Sequence, residues 1–431
     1  MKVIRIGICA LVGFAVLAHG GVEDWASAVL ETGTAALLLF WAIRLFSEEA
    51  PELHVSPLLP PLAALVLVAV LQLSLRTTAS SFDTRTDLLR LVAYFILAFL
   101  AAQAFRTVNN WRLFIWFVMV LGFAVSVFGI LQHLTFNGKL YWFREMRYGG
   151  IPFGPYVNRN HFAGFAELII PAGLVPLVLG KVRRDRWMLV GLFCLLPVGA
   201  LFLSASRGGI VSFFVELALL GILIGARRRQ KTPLLAGAIV LLLAGVLVAW
   251  LGVGRALERF SSLQALEVTH NKRVSMARDA WRIFLDHPLL GTGLGTFQTV
   301  YPKYESLYDG KVVNHAHNDY LEALAETGLA GGLSCAWLLF ALIARGVQNI
   351  RRPDGPFAAA LHTAGLVACG GILAHSVVDF NLHIPSNALL FFLMATLAAA
   401  PLSSQKKRPY AESPALRGRI QSAIPSLTGP A

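Results

Sequence analysis

Asn314-His-Ala-His-Asn-Asp319 sets two histidines two residues apart among carboxamides and a carboxylate, and Glu322 follows one helical turn later. An imidazole can take a proton from a hydroxyl near neutral pH, and Asp319 or Glu322 could orient the ring or stabilise its cation. His317 and His315 are therefore candidate general bases. His-x-His with acids nearby is also metal-ligand chemistry, and either ring could instead simply cap a helix or bind water. No further spaced ligands follow, and the chain has no Asp-x-Asp to hold a divalent ion on a sugar nucleotide. No metal and no cofactor are expected.

A second group is cationic. Arg144, Arg147 and Arg159 fall in a long outer loop over about 135–160, Arg255, Arg259, Lys272, Arg273, Arg278 and Arg282 in a second over about 253–321, and Arg207 in a short outer junction. Guanidinium groups suit an anion, above all a phosphate held bidentately, although local acids such as Asp279 and Asp286 or lipid head groups could pair with them. Arg207 lies in Ser204-Ala-Ser-Arg-Gly-Gly209, which joins two apolar segments with almost no loop. It reads as an anion clamp at the mouth of a helix pair, with Gly208 and Gly209 permitting close backbone approach. Glu167 and Glu216, inside apolar segments, are possible internal partners for such a charge. His375, Asp379 and His383 cluster at the end of another apolar segment, where they line the same cavity or serve structure. Gly291-Thr-Gly293-Leu-Gly295 follows no strand and opens no long helix, so it is read as a turn and not a nucleotide loop.

These residues need a scaffold, and composition names it. Of 431 residues, 56% are hydrophobic and 14% charged, against about 25% charged in soluble domains. Apolar blocks of about 18 to 22 residues can cross a bilayer as helices. About twelve such segments are expected, near residues 3–19, 26–46, 57–75, 88–105, 112–134, 161–180, 187–203, 208–225, 234–252, 322–344, 358–378 and 387–402. The fold is therefore an all-α polytopic membrane protein, with a transmembrane domain over 1–402, a large helical outer loop over 253–321 and a disordered cytoplasmic tail over 403–431. Lys2, Arg5 and Ala18-His19-Gly20 also fit a cleaved signal peptide, the alternative for the first segment. Within the large loop, Asn271 can cap a helix that carries Val274, Ala277, Trp281, Phe284 and Leu285 on one face, and His287-Pro288 stops it.

The formal charge of +13 divides unevenly on this topology. Short basic turns such as Lys181–Arg186 and Arg227–Lys231 bring the inner face to about +15 and leave the rest near −2, as the positive-inside rule expects of a chain with both termini in the cytoplasm. The inner charge thus orients the protein. No basic stripe interleaved with aromatics supports nucleic-acid binding. Cys9, Cys194, Cys335 and Cys369 all lie in apolar blocks and suggest neither a disulfide framework nor a metal site.

The chain resembles the O-antigen ligase and polymerase family of bacterial inner-membrane glycosyltransferases. That family's signature is His, then Asn, Ser or Gln, nine residues, Gly, two residues, Gly, and a small or aromatic residue. Here His317-Asn318, Asp319 to Thr327, Gly328, Leu329-Ala330, Gly331 and Gly332 fill each place. Ser206-Arg207-Gly208, the Arg273 helix with Trp281, Pro288 and Gly291-Thr-Gly293 also look like family features in family order. Asn158-Arg159-Asn160-His161 and Asp379 to Pro385 are similar to further family stretches. The likeness is clearest over about 150–390.

The resemblance implies metal-independent, inverting transfer of a glycan from undecaprenyl diphosphate to an acceptor hydroxyl on lipid A core or a growing polysaccharide, on the periplasmic face. His317 would be the base and Arg207 and Arg273 the diphosphate ligands. His315, Asn318, Asp319, Arg159 and Asp379 would support them, and donor, acceptor and membrane lipids are the partners. Polymerases and protein O-oligosaccharyltransferases of the same family are the nearer alternatives. A polysaccharide or lipid transporter is the rival from another class, although the sequence shows no paired interrupted helices of the kind transporters use.

Overall fold

The computed structural model describes residues 1–46, 53–145, 151–225 and 263–402. The span expected at 234–252, the basic turn at 227–231, Arg147, Arg255, Arg259 and the tail lie outside the described residues. Among the described residues the protein is all α, without a strand: α1 (Lys2–Leu17), α2 (Asp24–Phe46), α3 (Leu59–Ser74), α4 (Ser81–Ala104), α5 (Val108–Leu134), α6 (Arg159–Val178), α7 (Trp187–Leu203), α8 (Arg207–Gly225), α9 (Leu263–Asp286), α10 (Phe297–Val300), α11 (Asp319–Arg351), α12 (Pro356–His375) and α13 (Pro385–Ala399). The segments α2, α4 to α6, α8, α11 and α12, and α7 together with the turn that precedes it from Arg184, are long and apolar enough to cross a membrane, and α3 and α13 are shorter apolar helices. Every expected span outside 234–252 thus has its helix, and the protein is a polytopic membrane protein.

Helix α6 is the central element. Its apolar window is wholly buried, and it packs against α5, α7, α8 and α12. Small residues make that possible: Gly164 receives the Asn381 side chain and Gly173 the Cys194 sulfur. Without a hydrophobic drive inside lipid, such close backbone approach supplies the packing. Helix α1 joins the same core through Ile4, Ile8, Val12 and Val16.

One end of the bundle collects the polar motifs. There the large loop docks on α11. Asn318 caps α11 by accepting from the N–H groups of Tyr320 and Leu321 at 3.1 and 3.0 Å. Nine residues separate this cap from Gly328, which breaks the helix with φ 62° and ψ −160°. The freed backbone groups bind the turn after α9: Thr292 N donates to Ala325 O at 3.0 Å, Gly293 N to Glu326 O at 2.9 Å, and Leu329 N to Pro288 O at 2.8 Å. Buried Gln72 of α3 closes the junction, donating to Leu290 O and Glu326 O and accepting from Leu294 N. The buried Glu326 carboxylate accepts from Gly295 N and Phe297 N at 2.9 and 2.8 Å. Gly291, Gly293 and Gly295 all have positive φ, so the expected turn is present. The spacing of the histidine motif thus measures one short half-helix, from its cap to its break.

Two expectations for the loop helix need correction. Helix α9 starts at Leu263, so Asn271 is an exposed residue inside it and caps nothing. Its buried face is Met276, Ala280 and Ile283, packed on Phe297, Tyr301 and Val313. Phe284 is buried with them, whereas Val274, Trp281 and Leu285 are exposed. Asp279 also lies inside, where Ser306 N–H and hydroxyl bond its carboxylate, so the apolar stripe alone does not mark the buried face. The stop at His287-Pro288 is where the structure has it.

A Cβ at Gly291 would overlap the Glu326 backbone at φ 68°, whereas one at Gly221 of α8 meets nothing within 4 Å. Gly291→Ala should therefore cost about 2 kcal/mol or more, and Gly221→Ala should be neutral or slightly stabilising. Thermal unfolding midpoints of the detergent-solubilised variants check this; equal midpoints would contradict a tight junction.

Candidate functional site

The extended segment from Val313 to Asn318 delivers both histidines to the polar end, and it turns at His317, whose φ is 50°. The turn separates the two rings. His317 Nδ1 faces Asp379 Oδ1 at 3.1 Å. A carboxylate only accepts, so Nδ1 carries the proton and Nε2 keeps the lone pair of the neutral ring. His315 Nδ1 instead faces Glu322 Oε1 at 2.7 Å, and Glu322 Oε2 accepts from Ala316 N at 2.7 Å. Asp319, expected beside these histidines, orients neither: it accepts from His383 Nδ1 at 2.7 Å and from Leu382 N at 3.2 Å. Having entered α11, it faces the connection between α12 and α13.

Asp379 is the hub. It is 1% exposed, and besides His317 it accepts from Asn160 Nδ2 at 2.5 Å and from Phe380 N at 2.9 Å. The Arg273 guanidinium lies 3.8 Å from its second oxygen. Burial opposes its ionisation, but the His317 hydrogen bond and the nearby imidazoles of His317, His161 and His375 outweigh that and hold its carboxyl well below the usual range. His317 and Arg273 are thereby held to one carboxylate. Arg159 opens α6 beside Asn160, and Arg207 opens α8 just after Ala205, whose φ is 52°. Gly208 and Gly209 do allow close approach, to His375 Nε2 and to Ala163. Glu167, offered as a partner for a buried arginine, pairs instead with His375 at 2.8 Å.

On the other side of Phe380 a second network faces a cavity of about 1180 Å³. His315 stacks on the Phe380 ring at 4.3 Å, while His317 meets its edge at 4.9 Å. His383 bridges Asp319 and Glu322, the latter at 3.4 Å. Burial disfavours the His383 cation, but Glu322 and Asp319 more than offset this and raise its pKa well above the ordinary value. His315, Glu322 and His383 have ligand atoms within 4.8 Å of one another, so a cation could be held there. His317 is no part of that trio, and the two rings of the His-x-His motif do not converge on one ion.

Of the expected residues, the structure brings His317, Asp379 and Arg273 together, with Asn318 capping α11 beside them. His315 and Asp319 belong to the adjoining network. Asn160, Phe380, Gln72 and the Glu167–His375 pairing escaped the sequence reading. Asn160 and Phe380 stood inside the flagged stretches 158–161 and 379–385, but nothing local marked Gln72.

The fold and this site define an α-helical membrane protein with a histidine–carboxylate centre, flanked by arginine, at one end of its bundle. Residues 192–336 match the family model described as O-Antigen ligase, a stretch that holds Arg207, Arg273 and the His317 motif. The match supports the likeness to the O-antigen ligase family that the motifs carry. No curated protein matches the chain.

The two networks titrate in opposite senses. Asp379, with a depressed pKa, contributes stability above about pH 4 that is lost as pH falls through its folded value. His383, with a raised pKa, contributes stability in full below about pH 6.5 that is lost as pH rises through its folded value. The unfolding midpoint should therefore fall on the alkaline side, and His383→Gln should flatten that limb. A wild-type midpoint unchanged from neutral to strongly alkaline pH would contradict the assignment of the His383 charge.

Proposed function

We propose that the protein is a membrane glycosyltransferase that moves a glycan from undecaprenyl diphosphate to an acceptor hydroxyl, on lipid A core or a growing polysaccharide. It would act in the bacterial inner membrane, with both termini cytoplasmic and the polar end of the bundle periplasmic. The acceptor oxygen attacks the anomeric carbon as the bond to the diphosphate breaks, with inversion. The acceptor's proton passes to Nε2 of His317, and the bonding electrons leave with undecaprenyl diphosphate. Asp379 holds the ring in the tautomer this requires and stabilises the imidazolium that forms.

Arg273 and Arg207 would neutralise the charge developing on the leaving group, a role that preorganised guanidinium groups can fill without a metal ion. The observation that carries this reading is the Asp379 carboxylate, which binds the candidate base at 3.1 Å and Arg273 at 3.8 Å at once. One anion then sets both the proton acceptor and the anion ligand. Arg159 and Asn318 support it from the starts of α6 and α11.

Turnover of a lipid-linked glycan by the purified full-length protein tests this. His317→Ala should lower kcat by about 10²- to 10⁴-fold, and Arg273→Ala should raise the donor KM as well as lower kcat. Unimpaired turnover by His317→Ala would remove the base assignment. Activity abolished by a chelator and restored by a divalent ion would instead move the chemistry to the His315, Glu322 and His383 trio.

A further inference from the structure

Asp319 and Glu322 stand one turn apart at the start of α11 and share a face of it. His383 reaches that face from the short turn Asn381–His383 before α13, and His315 from the extended segment before α11. Two imidazole nitrogens converge there on one oxygen: His315 Nδ1 lies 2.7 Å and His383 Nε2 3.4 Å from Glu322 Oε1. Ligand atoms of a four-coordinate ion sit about 2.0–2.1 Å from it, which sets neighbouring ligands about 3.4 Å apart. The ligand atoms of these three residues, all within 4.8 Å of one another, are near that spacing as they stand.

The groups behind them are those that orient metal ligands. Asp319 Oδ1 accepts from His383 Nδ1 at 2.7 Å, which keeps the proton on that nitrogen and turns Nε2 toward Glu322. A carboxylate on the far nitrogen of an imidazole fixes the ring and makes the ligating nitrogen more basic. Glu322 is held in the same way by its second oxygen, which accepts from Ala316 N at 2.7 Å. The plane of His315 is set by its stacking on Phe380 at 4.3 Å. Glu322 is buried while both histidines keep partial exposure, and both line the cavity, so an ion and its water have a way in.

We propose that His315, Glu322 and His383 bind a transition-metal ion of the Zn²⁺ class, with Asp319 as the support behind His383 and the fourth position open to the cavity. Two imidazoles and one carboxylate suit such an ion, whereas Mg²⁺ and Ca²⁺ take oxygen shells. The ion replaces the proton that His383 otherwise holds against Glu322. Its role is structural. His317 faces Asp379 and meets only the edge of Phe380, so the candidate base is not a ligand. The ion ties together the segment that carries His317, the half-helix that follows it and the connection between α12 and α13. This goes beyond the glycosyl-transfer reading and does not depend on it.

Tag-free full-length protein in detergent, stripped of metal by chelation, tests the site with Zn²⁺ and Mg²⁺ alone as probes. Calorimetric titration should show Zn²⁺ bound and Mg²⁺ not, and saturating Zn²⁺ should raise the unfolding midpoint by about 3 °C or more. His383→Gln, His315→Gln and Asp319→Asn should each weaken Zn²⁺ binding by about tenfold or more, whereas His317→Gln should keep it within about twofold. Co²⁺ in place of Zn²⁺ reads the wild-type site directly, so a variant that fails to fold does not decide the matter. It should give the intense visible bands of a four-coordinate ion with nitrogen ligands; the weak bands of a six-coordinate, oxygen-bound ion would overturn the proposal. Wild-type protein that binds no Zn²⁺ would leave only a hydrogen-bonded cluster, and binding undiminished in His383→Gln and Asp319→Asn would put the ion on other residues. Either result overturns the site. Neither readout needs turnover, so a failed glycosyl-transfer assay leaves this inference standing, and the absence of Zn²⁺ leaves that reading untouched.

Discussion

A fully buried carboxylate at the polar end of a helical bundle needs donors on every side, and Asp379 obtains them from four separate parts of the chain. Asn160 comes from the start of α6, His317 from the segment before α11, Arg273 from the large loop, and the N–H of Phe380 from its own turn. Removing an ion from water costs several kcal/mol unless such partners are present. The loop helix, the central helix and the interrupted helix must therefore keep their mutual positions for the charge to be tolerated. Functional geometry and the satisfaction of a buried anion become one requirement.

A second set repeats this logic with a different polarity. Asp319 and Glu322 are held by His383, by the backbone of Ala316 and Leu382, and by His315. Two histidines two residues apart serve two carboxylates that are far apart in sequence, Glu322 and Asp379, because the positive φ at His317 turns its ring away from that of His315. Phe380 fills the space between the sets and keeps their hydrogen bonds apart while leaving their rings in contact. One side then carries arginine, and the other a pair of carboxylates held by histidine.

Much of the fold was legible because hydropathy and length act locally: each apolar block outside 234–252 carries a helix. Asn318 and Gly328 were legible as a motif, and their spacing acquires a cause as the cap and the break of a half-helix. What could not be read depends on distance along the chain. Asp379 lies 62 residues from His317, and no local pattern tells which of three nearby acids a histidine will meet. Asp319 and Glu322 looked better placed than Asp379 by sequence proximity alone. The buried face of α9 was hidden for a related reason: an apolar count cannot show that Asp279 is satisfied inside by Ser306.

The break at Gly328 also explains how a loop outside the bundle can hold an arginine in register with a histidine on it. The half-helix from Asp319 to Thr327 is fixed at its start, where Asn318 Nδ2 donates to Val377 O at 2.9 Å. It is fixed again at its end, where Glu326 and its backbone receive the turn that follows α9. Since α9 carries Arg273, the path from Arg273 through that turn, along the half-helix and back to His317 is a closed frame, bolted to α3 by Gln72. A continuous helix would have spent those backbone groups internally and left the loop to dock through side chains alone. The interruption converts them into the hydrogen bonds that hold the frame, and Asp379 closes it from the opposite side.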